Sequence, residues 1–408
     1  MRNYLLSLLR LPPAVHFYLF SEMLFGIGVG AAVILNFHYL ELGFDTKVIG
    51  LAQACYSVAV AVFSYPAGIL TDRLGSKFAM LLGSAIVTLS YAAIAFVTTP
   101  AMLYLVQIVL GIGFAFVIAC EFPYIMSLCE REEDETTAYN MLIAAFTLMM
   151  SVGYILGTKL PTWLPEGQTA YQTTIFFIAF SFLIMLILRV FLPAKSRRKQ
   201  EEHARQTEVK RPSWLAVPSR QVLVYVLYAT AAGSLFSLLG PFENVILRER
   251  FSLSDDIVGY LFALNSFLLF LTTFFTPFIM TSPKRRLILY TAFALQLLFM
   301  LMLGTIGAIW LFSLVFIGKG TVGVLINSFI DASMMKATPD AERGLHSGLR
   351  NLSRFIIGAG VNSIGGFLLA SGDYRSIYYV AFVIVAAQVL IYLTLVRGHL
   401  RQDLQESF

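Results

Sequence analysis

Turn residues and charges divide the chain into twelve long, nearly unbroken apolar runs, and these constrain its fold more than any other feature. They fall at about 14–40, 46–70, 79–97, 101–127, 138–160, 171–192, 221–247, 255–280, 287–306, 308–335, 345–370 and 376–396. A helix of about 20 apolar residues crosses the hydrocarbon of a bilayer, so each run predicts one spanning helix. Strands of a membrane barrel alternate apolar and polar residues over about ten positions, a pattern these runs lack. Of 408 residues, 58% are apolar and only 13% are charged, about half the charged share of a soluble domain. No water-facing exterior can be built from that composition. A cytosolic enzyme, a nucleic-acid-binding domain and a disordered chain are thereby excluded. The fold class expected is an all-α polytopic membrane protein. The run after the short basic stretch 1–10 holds Glu22 and lacks a small-residue cleavage site, so it reads as the first span and not as a removed leader.

The runs form two groups of six, 1–193 and 220–408, separated by the long polar stretch 194–219. That stretch contains Lys195, Arg197, Arg198, Lys199, Lys210 and Arg211. A solvated cytoplasmic linker is expected there, ahead of a strip for lipid headgroups. Twenty of the 29 Lys and Arg residues lie on the side of the N-terminus, including Arg73, Lys77, eight in or beside the linker, Lys284, Arg285, Arg286 and Arg397. The opposite side holds five: Lys47, Lys159, Arg248, Arg250 and Arg375. Arg189, Lys319, Arg350 and Arg354 fall within spans. Basic residues collect on the cytoplasmic side, so this split predicts a multi-pass protein of the cell (cytoplasmic) membrane with both termini in the cytoplasm. An even number of spans independently requires both termini on one side of the membrane. The net charge of +5 thus marks orientation and not nucleic acid. Cys55, Cys120 and Cys129 have no metal-ligand or disulfide spacing and are expected to be buried as small apolar residues.

The halves resemble each other. A shift of 209 residues lays Ile49-Gly50 on Val258-Gly259, Ala54 on Ala263, Ser57 on Ser266 and Lys77 on Arg286. Tandem repeats of six spans are a transporter architecture, with the substrate site near the membrane midplane.

The turn between the second and third spans reads Gly68-Ile69-Leu70-Thr71-Asp72-Arg73-Leu74-Gly75-Ser76-Lys77. It resembles the G-x-x-x-D-R-x-G-x-K signature of the major facilitator superfamily and stands where that family has it. The resemblance implies the family's fold: twelve helices in two pseudo-symmetric six-helix bundles, with helices 1, 4, 7 and 10 around a cavity. It also implies a cytoplasmic gate. Gly68 and Gly75 would permit a tight turn and close helix approach, and Asp72 would meet the start of the eleventh helix near Ala341–Gly344. Arg73 or Lys77 would reach Glu121 or Glu130 at the lower end of the fourth. The equivalent turn, Thr281-Ser282-Pro283-Lys284-Arg285-Arg286, keeps the basic residues without the acid and glycines. Gln107 replaces the family's fourth-helix arginine, and Gly153-x-x-x-Gly157-Thr158 lacks the antiporters' proline. Both departures weaken the link to drug–proton antiport, although Gly153 and Gly157 still form a small-x-x-x-small packing face.

Ionisable residues inside hydrocarbon are costly and mark partners or wet cavities. Glu22 is expected to face the cavity and bind protons, with structural pairing as the competing reading. Glu121 is expected to serve the gate. Glu243, after the helix-weakening Gly240-Pro241, suits a cavity or outer-gate role, against snorkelling at the interface. Lys319, between Gly318 and Gly320, either neutralises a carboxylate such as Glu243 or Glu22 or attracts an anionic substrate. Asp331 is expected to pair with Arg350 or Arg354, as a gate ahead of substrate binding. His38 and Glu41 are expected at the surface.

These readings converge on a secondary transporter of a small solute working by alternating access. Proton-coupled efflux of amphipathic compounds, carried by Glu22 and Glu243 in an antiporter, is expected first. Transport of an anionic metabolite or lipid-like solute through Lys319, Arg350 and Arg354 comes second, and a non-transporting sensor third. The partners expected are solute, protons and lipid bilayer, with no nucleic acid; a monomer is the expected working unit. No cofactor, phosphate-binding loop or catalytic constellation is read, so the chain is not expected to be an enzyme.

Overall fold

A computed structural model describes residues 10–129, 131–194, 218–280, 282–339 and 342–400. Glu130, Ala341 and residues 195–217 of the expected linker lie outside the described residues. Among the described residues, twelve helices are long and apolar enough to cross a membrane, and there is no strand. Hydrocarbon offers backbone groups no water, so an apolar segment satisfies its N–H and C=O groups internally, as a helix. The helices are α1 (Pro13–Glu41, with one 3-10 turn at Ala32–Ile34), α2 (Thr46–Leu74), α3 (Ser76–Ile94), α4 (Pro100–Leu128), α5 (Glu132–Trp163) and α6 (Gln172–Phe191). There follow α7 (Arg220–Leu239), α8 (Glu243–Phe251), α9 (Asp255–Met280), α10 (Arg285–Thr305), α11 (Ile309–Ala337), α12 (Arg343–Ala370) and α13 (Ser376–Leu400). Side-chain caps start several of them: Asp45 accepts from the Val48 N–H at 2.9 Å, and Ser219 from Val222 at 3.3 Å. At the start of α13, Asp373 accepts from the Arg375 N–H at 2.9 Å and from the Ser376 hydroxyl. The Ser376 hydroxyl, first among these, holds the Asp373 carboxyl below its ordinary range.

One boundary corrects the expected seventh span. Helix α7 ends at Leu239 and not near 247. Pro241 has no N–H to continue the ladder, and the Phe242 N–H turns back to the Leu239 carbonyl at 2.9 Å. The short α8 then starts at Glu243. Arg250 fastens it to the carboxyl end of α10, donating to the Leu303 carbonyl at 2.8 Å and the Ile306 carbonyl at 2.6 Å.

The chain divides into two compact units, Met1–Thr207 with Leu253–Phe267, and Glu208–Ser252 with Leu268–Phe408. In the first, α1 packs on α5 and α6, α2 on α4, and α3 on α4 and α6. The amino-terminal half of α9 belongs to this unit. Lys159 pairs with Asp256, the Tyr171 hydroxyl donates to Asp255, and Ser266 Oγ donates to the Thr147 carbonyl at 2.9 Å. In the second unit, α7 packs on α12 and α13, and α10 on α11 and α13. These four pairings repeat four of the first unit's, each advanced by six spans. The weak sequence repeat is therefore matched by a repeat of packing partners.

Small residues set the closest approach. A Cβ built at Gly153 of α5 would lie 2.9 Å from the Ile27 carbonyl carbon and 3.0 Å from the Ala31 nitrogen of α1. One built at Gly30 would lie 3.0 Å from the Cα of Gly153, and one at Gly157 would lie 2.6 Å from the Cα of Ala31. Gly68 is different: among the described residues nothing lies within 4 Å of its Cβ position. A Gly153→Val variant is expected to lose about 1–3 kcal/mol or more through overpacking against backbone. Thermal unfolding in detergent checks this, with Gly68→Ala expected to leave the transition unmoved.

Candidate functional site

The most deeply buried charges lie in the first unit. Glu22 on α1 forms an ion pair with Arg189 on α6, at side-chain exposures of 1% and 0%. Arg189 Nη1 also donates to Ser84 Oγ of α3 at 2.7 Å. Its guanidinium lies 5.7 Å from the Tyr18 ring and 5.5 Å from that of Phe25, within cation–π range. The Tyr18 ring meets Tyr124 of α4 edge-on at 5.1 Å, and the Tyr124 hydroxyl donates to the Pro193 carbonyl at 3.1 Å. Half-buried Glu121, also on α4, lies within the fields of Glu22 and Arg189. One guanidinium and two carboxyl groups thus lie on three helices of the first unit, α6, α1 and α4. Glu22 Oε2 and Arg189 Nε have no hydrogen-bond partner among the described residues, so the pair is single-stranded and keeps acceptor capacity. Glu22 is thus ion-paired and buried, the structural pairing that competed with a cavity-facing, proton-binding reading.

A second ion pair stands in the second unit. Glu243 opens α8 beyond the Gly240-Pro241 break and meets Lys319 of α11, at side-chain exposures of 10% and 11%. The Lys319 ammonium lies 4.9 Å from the Phe316 ring. Of the two carboxylates open to Lys319 on sequence grounds, Glu243 is the partner. Further along α11, Asp331 meets Arg350 of α12 at 3.2 Å. Arg354, one turn on, packs its stem over Gly233 and lies 5.5 Å from the Phe236 ring.

Of the residues expected to form the gate, Gly68, Asp72, Arg73, Gly75, Lys77 and Glu121 belong to the first unit, and Asp331, Arg350 and Arg354 to the second. Asp72 and Arg73 are exposed at the end of α2. Gly75 has φ +93°, a region that favours glycine, and joins α2 to α3 without an intervening loop. Glu130 lies outside the described residues, and Lys77 takes acceptors other than Glu121. It donates to the Val190 carbonyl at 2.9 Å and the Leu192 carbonyl at 2.5 Å, where the carboxyl end of α6 presents unpaired carbonyls and a negative dipole. His38 also departs from its surface reading: it is buried, with Nδ1 2.6 Å from Thr169 Oγ1. Glu41 is exposed and accepts from the Ala170 N–H at 3.0 Å. Thr158, in place of the antiporters' proline, packs against Gly259.

Arg189 is one of four cations inside spans, and the sequence assigns it no role. An arginine in hydrocarbon demands a carboxylate, and that demand was the available signal. Removing one member of a buried pair costs about 3–5 kcal/mol. Arg189→Met alone is therefore expected to lower the unfolding temperature sharply. Glu22→Gln/Arg189→Met is expected to recover most of the loss; additive effects in a double-mutant cycle would refute the pairing.

The geometry can be set beside known proteins. Residues 16–361 match the Major Facilitator Superfamily. The chain is 22% identical over 262 residues to an uncharacterized MFS-type transporter, YxaM, of Bacillus subtilis, covering 62% of each protein. It is 27% identical over 194 residues to the class H tetracycline resistance protein of Pasteurella multocida, covering 46% of each. It thus spans less than two thirds of the length of these relatives. The solved structure of the nucleoside transporter NupG superposes with a TM-score of 0.72 at 14% identity, covering 93% of this chain and 99% of that one. A family match over most of the length, together with a shared fold of twelve spanning helices, makes the chain a member of the Major Facilitator Superfamily.

Proposed function

We propose that the protein is a proton-coupled secondary transporter that exports amphipathic compounds across the cytoplasmic membrane by alternating access, with both termini in the cytoplasm. The observation that carries the coupling is the buried Glu22–Arg189 pair with Glu121 in its field. One fixed cation balances one carboxylate, and the second carboxyl group is the position where a proton can be taken up and released without leaving net charge in hydrocarbon. Arg189 holds Glu22, and Glu121 exchanges the proton. This reading moves the leading proton site from Glu22 and Glu243 to Glu121, since both of the former are ion-paired.

Export of amphipathic solutes is supported by the neutralisation of Lys319 and Arg350 within the protein, which leaves little fixed charge to hold an anion. The likeness to a tetracycline resistance protein points the same way. Transport of an anionic metabolite or lipid-like solute is the second reading. It rests on Arg354, which has no ion-pair partner among the described residues. The 20-to-5 division of basic residues supports the orientation.

Reconstitution into liposomes tests the proposal, using a panel of amphipathic compounds that includes tetracycline. An imposed pH gradient is expected to drive uphill flux. Glu121→Gln is expected to abolish the gradient response while downhill exchange persists. Transport indifferent to the gradient, or uphill flux undiminished in Glu121→Gln, would sink the coupling.

A further inference from the structure

A cleft in the second unit opens between α10, α11 and α13, and three arginines converge on it. Arg285 and Arg286 come from the first turn of α10 and Arg397 from the last turns of α13, with Ser333 of α11 and the tyrosines Tyr290 and Tyr392 beside them. Among the described residues no acidic side chain lines the cleft. None of the three arginines has an ion-pair partner there. Arg397 instead lies 5.7 Å from the Tyr290 ring. Arg285 and Arg286 stand at a helix amino terminus, whose dipole is already positive, and no side chain caps it. Three guanidiniums in this setting repel one another, and an anion relieves that repulsion.

Two further features belong to the same cleft. Tyr392 is only 7% exposed, with its ring fixed against Phe293 at 5.2 Å. Its hydroxyl has no hydrogen-bond partner among the described residues and is free to donate to a ligand. Tyr392 also begins a π turn, Tyr392–Val396, that directly precedes Arg397; such turns are rare and concentrate at functional sites. The internal repeat sharpens the contrast. Lys77, the counterpart of Arg286 at a shift of 209 residues, is satisfied by carbonyls at the end of α6. The matching helix end in the second unit is that of α13, and there Arg286 finds another arginine, Arg397.

We propose that this cleft binds the phosphate of an anionic phospholipid headgroup. Arg285 opens one spanning helix and Arg397 closes another, which places the cleft at the membrane edge, at headgroup depth. Arginine forks match phosphate oxygens in pairs, and basic pockets between spanning helices recognise anionic headgroups. The same chemistry accepts free phosphate, so the two sources must be separated by experiment.

The test is native mass spectrometry of the full-length protein in detergent, titrated with phosphatidylglycerol or phosphatidylcholine. Wild type is expected to retain phosphatidylglycerol selectively, and each arginine changed to glutamine is expected to weaken retention about five-fold. Tyr392→Phe, which removes only the hydroxyl, is expected to weaken retention less. Persistence of bound phosphatidylglycerol in millimolar inorganic phosphate supports the lipid source; displacement by inorganic phosphate overturns it in favour of the free anion. Equal retention of both lipids, or undiminished retention by Arg285→Gln/Arg286→Gln/Arg397→Gln, overturns the site. If that triple variant does not fold, Arg397→Gln and Tyr392→Phe decide the matter by the same reading.

Discussion

Hydrocarbon does not solvate a charge, and most of the specific architecture follows from that. Three cations in the spanning helices meet carboxylates on neighbouring helices: Arg189 meets Glu22, Lys319 meets Glu243, and Arg350 meets Asp331. Each pair joins elements of one unit, so each acts as a cross-tie as well as a neutralisation. The same demand is met differently at the helix ends. Among the described residues Lys77 and Arg250 meet no carboxylate there and take backbone carbonyls at the ends of α6 and α10. A cation at a helix carboxyl terminus satisfies unpaired acceptors and opposes the dipole together.

Between the charges, packing has to be close to be worth anything. Lipid tails are as apolar as leucine, so helices gain little from merely meeting and much from meeting tightly. Gly26 and Gly30 on α1 and Gly153 and Gly157 on α5 remove side chains at the points where backbone approaches backbone. This contact holds α1 in register and presents Glu22 toward α6. A substitution in the stripe therefore disturbs the ion pair without touching it.

The twelve spans were legible because continuous apolar runs have one structural solution in a bilayer, and observed helix ends fall within a few residues of most expected ones. The Gly240-Pro241 weakness was legible too, but its consequence was not: a missing N–H marks a break without saying that α8 starts on its far side. Partners were harder to read. Lys319 had two carboxylates open to it, and only the fold selects Glu243. The acceptors of Lys77 are carbonyls, which every residue carries, so composition holds no trace of them. His38 read as a surface residue because of its place near a span's end, yet Thr169 arrives from a distant loop to bury it.

The Glu22–Arg189 pair joins residues 167 positions apart, which gives it a meaning in time. During synthesis Glu22 enters the membrane with the first span, and Arg189 follows only as the sixth is completed. Throughout that interval the first helix carries a polar group with no counterpart, and the sixth supplies it at the last turns of the bundle. A chain without its sixth span keeps the Glu22 carboxyl group without its arginine. The contact is thus a sign of completeness: it exists only when all six helices have arrived.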